Sequence, residues 1–167
     1  MGTGVLTEFL NETGRAWRDA ATERSAVLAD WRGGVEALLR TIREWVQERD
    51  TERLLEFRDS EVEIIEGRLG RYIAPALTVA LGPRLVHFVP VARYTVATVP
   101  GPDGQPRRAD GCVAVNTTQE VSAAGPNCRL YRAADPAGDR WYLAIDLPPY
   151  SELTRDVFER MLVGLMR

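Results

Sequence analysis

The first third of the chain repeats apolar residues at the three-and-four spacing of a helix face. The repeat is sustained for about five heptads, and no proline occurs before Pro75. Trp17, Trp31 and Trp45 follow one another at intervals of fourteen residues, over which a helix drifts by only about 40°. The pattern predicts a long amphipathic helix over roughly residues 5–57, with the three indoles on one stripe.

Two adjacent glycines, Gly33 and Gly34, interrupt this predicted helix and allow a second interpretation. A glycine costs an exposed helix about 1 kcal/mol relative to alanine, so the pair is compatible with the turn of a helical hairpin. The heptad phase nevertheless continues across the pair, because Trp31, Val35 and Leu38 keep the spacing, and both glycines fall on outer heptad positions. A single helix is therefore favoured over a hairpin.

The apolar stripe is longer and wider than a two-stranded coiled coil requires. A helix of this length spans on the order of 75 Å, and apolar residues also occupy the e and g positions where a coiled coil places charges. We expect the stripe to pack on the chain's own sheet and on a second copy, as a homodimer. The alternative is that the tryptophans are core residues of a monomer. The residues predicted for the interface are Trp17, Leu28, Trp31, Val35, Leu38, Ile42 and Trp45.

From about residue 60 the apolar spacing changes to the alternation of β-strands. Seven short segments rich in Val, Ile, Leu, Thr and Tyr are separated by Gly, Pro, Asp and Asn. The connections are too short for crossover helices, so the sheet should be antiparallel. The segments are EVEII, ALTVAL, RLVHFVPV, RYTVATV, GCVAV, NCRLY and RWYLAIDL. They predict a meander of six to seven strands, curled as a half-barrel.

The C-terminal segment SELTRDVFERMLVGLM predicts a second helix, which Ser151 or Thr154 can cap. One stripe of this helix is apolar and should cover a face of the sheet. The whole pattern predicts an α+β fold, with a helical association segment at 1–59 and an antiparallel β-meander with a C-terminal capping helix at 60–167. We expect the two segments to form one compact unit.

Composition limits the classes of partner. Hydrophobic residues make up 45% of the 167 residues and charged residues 27%, which is ordinary for a globular protein. All basic residues are arginine, a usage that suggests a GC-rich bacterial genome. The net charge of −3 arises in residues 1–59, which hold 9 arginines and 12 acidic residues. Because no segment has the basic surplus that releases phosphate counterions, nucleic acid is not an expected partner.

The sequence also carries no signal for a membrane or for export. No apolar run approaches the roughly eighteen residues that cross a bilayer. The opening segment MGTGVLTEFLNETG lacks the basic start and the apolar stretch of a secretory signal. We therefore expect a cytoplasmic protein with no membrane partner.

Candidate chemistry centres on His87, the only histidine in the chain. A two-residue Gly-Pro turn before its strand would place it opposite Thr78, and a three-residue turn would move it to the other face of the sheet. With Arg93 and Tyr94 it could line a pocket for a small ligand or for hydrolysis. A lone histidine is more often an ordinary hydrogen-bonded residue than a catalyst.

The remaining reactive residue types give weaker signals. Cys112 and Cys128 lack the close paired spacing of zinc ligands, and a cytoplasmic setting argues against a disulfide even if the two thiols face each other on neighbouring strands. Glu61 and Glu63 alternate with apolar residues, which is typical of the solvated side of a strand. We therefore expect no metal and no cofactor.

Two hypotheses of function follow from these patterns. The first is a non-enzymatic bacterial protein-interaction or oligomerisation module that self-associates through the tryptophan-bearing helix and presents its sheet to another protein. The second is a small-ligand-binding or hydrolytic domain with a pocket near His87. The first is favoured because the helix carries more apolar surface than its own chain is expected to cover.

Overall fold

One long helix, an antiparallel sheet and a short C-terminal helix build the protein, so the predicted α+β fold is confirmed. The computed structural model describes residues 4–117, 128–145 and 150–167. The elements in chain order are α1 Val5–Arg49, β1 Glu56–Glu66, β2 Gly70–Leu81, β3 Arg84–Ala92, β4 Thr98–Pro100, β5 Pro106–Arg108, β6 Cys112–Thr117, β7 Cys128–Ala133, β8 Arg140–Ile145, β9 Ser151–Glu152 and α2 Arg155–Met166. Neither of these helices has both the length and the apolar character needed to span a membrane.

The main sheet follows the chain as an antiparallel meander with one insertion. Its seven strands lie in the order β1-β2-β3-β6-β7-β8-β9, and β1 and β9 are its edges. The insertion is the two-stranded hairpin β4-β5, which lies between β3 and β6 along the chain. The predicted segment RYTVATV therefore does not enter the main sheet, because its end turns back to pair with β5. Asn127, Asp146 and Leu147, at the ends of two other predicted segments, lie outside the described residues.

The first helix, α1, is continuous over 45 residues, so the interpretation as a single helix is confirmed. It ends at Arg49, eight residues before the predicted end. The carboxylate of Asp50 accepts hydrogen bonds from the backbone N–H groups of Leu54 and Leu55, both at 2.8 Å. These bonds turn the chain, and β1 begins at Glu56.

The two glycines of α1 have different surroundings. Gly33 is exposed, as expected, whereas Gly34 is buried, so its predicted outer position was wrong. A Cβ atom added to Gly34 would lie 2.6 Å from Nε of Arg132 and 3.0 Å from a carboxylate oxygen of Asp139. The absence of a side chain at Gly34 therefore forms a notch, a space in which buried Arg132 approaches the helix backbone. The Gly33-Gly34 pair does not mark a turn.

Both helices contribute to one hydrophobic core with the sheet. The C-terminal half of α1 buries the side chains from Trp31 to Val46 that face the strands. In α2 the core residue Phe158 stands between the other elements, with its ring centroid 5.5 Å from that of Trp45 and 6.1 Å from that of Phe88. The predicted role of the C-terminal helix as a cover for the sheet is thus confirmed.

A smaller cluster lies on the opposite face of the sheet. Trp141 and Tyr142 alternate along β8, so the first belongs to the main core and the second to this cluster. The cluster joins Tyr142 and Ala133 of the sheet to Val99 of the β4-β5 hairpin. The hairpin therefore covers part of the sheet face that the helices leave open.

Candidate functional site

The N-terminal half of α1 projects from the rest of the protein. We call residues 5–26 the overhang, in which nearly all side chains are exposed. At about 1.5 Å per residue it is roughly 33 Å long. Its large apolar side chains with their exposed fractions are Val5 85%, Leu6 68%, Phe9 59%, Leu10 56% and Trp17 74%. Helices in proteins obtain most of their stability from packing of an apolar face, and the described part of the chain leaves most of the overhang's apolar face open.

The predicted interface stripe divides where α1 meets the sheet. Leu28 and Trp45 are partly buried against the core, and Trp17 is exposed. The sheet and α2 bury the C-terminal part of the stripe, which the heptad pattern alone did not predict. The part of the stripe that is open to a partner is therefore its N-terminal end. The predicted interface residues that the chain itself buries are Trp31, Val35, Leu38 and Ile42.

The ring of Trp31 fixes the place where α1 leaves the sheet. Its Nε1 donates a hydrogen bond of 3.2 Å to Oη of Tyr72, and its ring centroid lies 6.3 Å from that of Trp141. The ring also lies on the backbone of Gly111, where an added Cβ would be 2.1 Å from a ring atom. Gly111 has φ +152°, a conformation that favours glycine. A side chain at position 111 would therefore displace the indole.

Buried Arg132 adds ionic contacts at the same place. Its Nη1 and Nη2 donate to the two carboxylate oxygens of Asp30 at 2.9 and 3.2 Å, and its Nε donates to Asp139 at 2.6 Å. The hydrogen bonds from Arg132 lower the pKa of Asp30, against a smaller opposing effect of burial. A buried guanidinium needs such partners because an unpaired buried charge is costly. We call this group the clamp; its members are Asp30, Trp31, Gly34, Gly111 and Arg132.

Glu66 connects the clamp to the segment that follows β3. One of its carboxylate oxygens accepts hydrogen bonds from Oη of Tyr72 and, at 2.7 Å, from the backbone N–H of Arg93. The other oxygen accepts the backbone N–H of Tyr94 at 3.2 Å. Burial and the neighbouring carboxylate raise the pKa of Tyr72, which keeps its hydroxyl protonated and able to donate. Arg93 and Tyr94 are thus positioned through their backbone.

A cavity of about 510 Å³ lies beneath the overhang, between it and the turn after β1. Trp17 and Val27 line it from the helix, and Arg68, Leu69 and Tyr94 line it from the sheet. The guanidinium of Arg68 lies 4.9 Å from the centroid of the Tyr94 ring, within range of a cation–π contact. The structure therefore brings together Trp17 from the predicted interface and Tyr94 from the predicted pocket. No pattern in the sequence indicated this juxtaposition.

A second cavity lies at the other end of α1, where the helix meets α2. We call it the terminal groove; it has a volume of about 570 Å³ and is lined mostly by apolar residues. Leu54 and Val163, on its rim, are exposed. Charged residues, among them Arg49 and Glu159, border it and pair with each other at 2.8 Å. The apolar residues used in the argument below are Trp45, Leu54, Leu81, Phe158, Leu162 and Val163.

The predicted pocket residue His87 lies on the face of the sheet away from the helices. The two-residue turn is confirmed, because His87 stands opposite Thr78 with its Nδ1 2.7 Å from the Thr78 hydroxyl. Partial burial lowers the pKa of His87. Arg93 lies six positions further along the chain, just after the end of β3 and roughly 20 Å away, and forms an ion pair of 3.5 Å with Asp110. The structure does not bring His87 together with Arg93 and Tyr94.

The two cysteines lie on neighbouring strands, as expected, but do not face each other. Cys112 stands opposite Tyr131, and Cys128 stands opposite Val115. Burial raises the pKa of Cys112 despite a contact of 3.6 Å with the guanidinium of Arg129. A buried thiol with a raised pKa is a poor nucleophile. Within the ranges that the structure describes, no group of three or more His, Cys, Asp or Glu side chains is placed to hold a metal ion.

Comparison with known proteins adds no analogy from which a function could be transferred. No protein-family model, no curated protein and no solved structure matches this chain significantly. The two exposed apolar surfaces at the opposite ends of α1 are therefore the features from which a function must be inferred.

Proposed function

We propose that the protein is a non-enzymatic self-association module that forms a homodimer through the overhang. The observation that carries this proposal is the exposed apolar face of residues 5–26. Its five large apolar side chains expose on the order of 600 Å², against about 800 Å² per partner in an interface of standard size. Exposed apolar patches of this extent usually mark an interaction site.

The clamp supports the same proposal because it holds the overhang in one direction. Asp30, Trp31 and Gly34 lie in the first turns of α1 that contact the sheet, directly after the overhang. A helix anchored so close to its exposed part projects as a rigid arm. A preorganised surface loses less conformational entropy when a partner binds.

The charge distribution of the overhang favours a second copy as its partner. The segment contains four acidic residues and three arginines, so two copies do not repel each other strongly. Acidic and basic residues are interspersed along the helix, so no part of it carries a block of one charge that would repel a second copy. The acidic residues are Glu8, Glu12, Asp19 and Glu23, and the basic residues are Arg15, Arg18 and Arg24.

Sedimentation equilibrium of the parent and of two variants tests the proposal. We expect the parent to be a dimer and Trp17→Ala to raise its dissociation constant at least tenfold, the equivalent of about 1.4 kcal/mol. Val96→Ala is the control, because Val96 is also a largely exposed apolar residue but lies in the segment before β4. A parent that stays monomeric at high concentration contradicts the proposal, as does an equal effect of the two substitutions.

A further inference from the structure

The two halves of α1 have the same length, which suggests how two copies pair. The overhang and the covered half, residues 28–49, contain 22 residues each, or about 33 Å of helix. If two α1 helices lie antiparallel with a two-fold axis beside Val27, the overhang of each runs along the covered half of the other. The tip of the overhang then reaches the terminal groove of the second copy.

We propose that the terminal groove is the docking site for the overhang tip of a second copy of this chain. The tip consists of residues 5–10, with the apolar side chains Val5, Leu6, Phe9 and Leu10. The resulting dimer is isologous, because each copy gives its tip and receives the other tip in its groove. The inference rests on the proposed function, since it specifies which surfaces of the dimer meet.

The overhang is poorly suited to pair with another overhang alone. With Leu10 at a d position, Arg24 also falls at d, and the a positions of the segment hold Thr7, Gly14 and Ala21. A two-stranded coiled coil needs large apolar residues in both rows, and small or charged residues there leave the seam weak. The large apolar side chains of the overhang therefore need a surface that is already apolar.

The terminal groove offers such a surface. Its volume of about 570 Å³ lies within the range of roughly 300–1,000 Å³ that is typical of ligand-sized clefts. Leu54, Leu81 and Val163 on its border are exposed in the single chain. Antiparallel pairing covers the tip and the groove at once and does so twice per dimer. A stable interface of standard size buries roughly 1,600 Å² in total, and two such contacts per dimer contribute twice the area of one.

Charge at the two ends of α1 agrees with this direction. The first turn contains Glu8 and the last turn contains Arg49, which borders the terminal groove. With the axis beside Val27, Glu8 of one copy lies about three residues, roughly 4.5 Å along the helix, from the level of Arg49 in the other, whose guanidinium also pairs with Glu159 of its own chain. This pairing also places the two helix dipoles antiparallel, which is the electrostatically favourable arrangement.

Distances between spin labels on two copies of the full chain distinguish the possible arrangements. Glu12→Cys places a nitroxide on an exposed position of the overhang. The native Cys112 and Cys128 are buried and stay unchanged, and the parent treated with the same reagent gives the background. Pulsed dipolar spectroscopy should give an inter-label distance of about 45 Å if the axis lies beside Val27.

A distance below about 20 Å would mean that the overhangs pair with each other, in either direction. That result overturns the inference and leaves the proposed self-association intact. Absence of any inter-label distance in a sample shown to be monomeric overturns both.

A charge placed in the terminal groove gives an independent check. Val163→Asp should raise the dissociation constant of the dimer at least tenfold, whereas Val96→Asp, outside both surfaces, should leave it unchanged. Since Val163 is half exposed, its replacement leaves the folded chain intact, which circular dichroism verifies. A Val163→Asp dimer as tight as the parent contradicts the placement of the tip in the groove.

Discussion

Trp17 and Trp31 lie on the same stripe of the same helix, yet the first is 74% exposed and the second is fully buried. Trp31 is covered because Gly111 leaves room for its ring and Tyr72 accepts its N–H. Trp17 has the same type of side chain and the same heptad position, but the described residues beside it only line an open cavity with it and do not cover it. The comparison shows that the covered half is buried because the sheet has a surface complementary to it. The apolar face of the overhang requires a complementary surface from a partner.

The two halves should also differ in how they are stabilised. The covered half is part of the core, whereas a free helix of about 20 residues is only marginally stable in water. The overhang is helical as the continuation of an anchored helix, so it extends a structure that is already nucleated. A second copy that covered its apolar face would supply the packing that it lacks.

The largest difference between the halves is expected for the two tryptophans. Trp31→Ala should lower the free energy of unfolding of the monomer by about 3–5 kcal/mol, because it removes a fully buried indole and leaves a cavity. Trp17→Ala should change it by less than about 0.5 kcal/mol, because the side chain is exposed. Urea unfolding at low protein concentration measures both values. Equal losses of unfolding free energy would contradict the division of the stripe into an exposed part with Trp17 and a buried part with Trp31.

The two glycines of the helix should give effects of opposite sign. Gly33→Ala should stabilise the protein by about 0.5–1 kcal/mol, since its added Cβ meets no atom within 4 Å. Gly34→Ala should destabilise it by about 1–3 kcal/mol, since its Cβ would overlap the Arg132 guanidinium. Thermal or urea denaturation of the pair checks this contrast. Stabilisation by both substitutions would mean that the notch at Gly34 is not needed.

A smaller effect is expected from acid on the clamp. The folded pKa of Asp30 lies below its unfolded value, so its ion pair contributes fully above the unfolded pKa, near pH 4. That contribution is lost as the pH falls through the folded pKa. Because Asp30 is half exposed, we expect about 1 kcal/mol or less.

The pH dependence of the free energy of unfolding, compared with Asp30→Asn, isolates this contribution. The variant should lack the corresponding loss of stability below pH 4. Asp19→Asn, on the overhang, is the matched control and should follow the parent. If Asp30→Asn and the parent have the same pH profile, the Arg132–Asp30 pair does not contribute to stability.

Local patterns in the sequence were sufficient to predict much of the fold. The heptad phase across Gly33 predicted a continuous helix, and the Gly-Pro turn predicted the pairing of His87 with Thr78. Both depend on residues that are close in the chain. The end of α1 was missed because it depends on a side chain, that of Asp50, which accepts two backbone N–H groups.

The candidate site was much less predictable because its contacts join distant residues. The ion pair of Arg132 with Asp30 spans 102 residues, and the hydrogen bond of Trp31 to Tyr72 spans 41. The heptad pattern identified the correct face of α1 but could not show how far the sheet covers it. For the same reason Trp17 was predicted as an interface residue and Tyr94 as a pocket residue, although both line one cavity.

Amide hydrogen exchange along α1 at several protein concentrations tests most directly whether a second copy covers the overhang. We expect the amides of residues 5–26 to become more protected as concentration rises, while those of β7, inside the main sheet, keep the same protection. Strand β7 serves as the internal reference because it lies outside both surfaces of the proposed dimer. Exchange of the overhang that does not change with concentration, up to the highest concentration at which the protein is soluble, would contradict self-association through this helix.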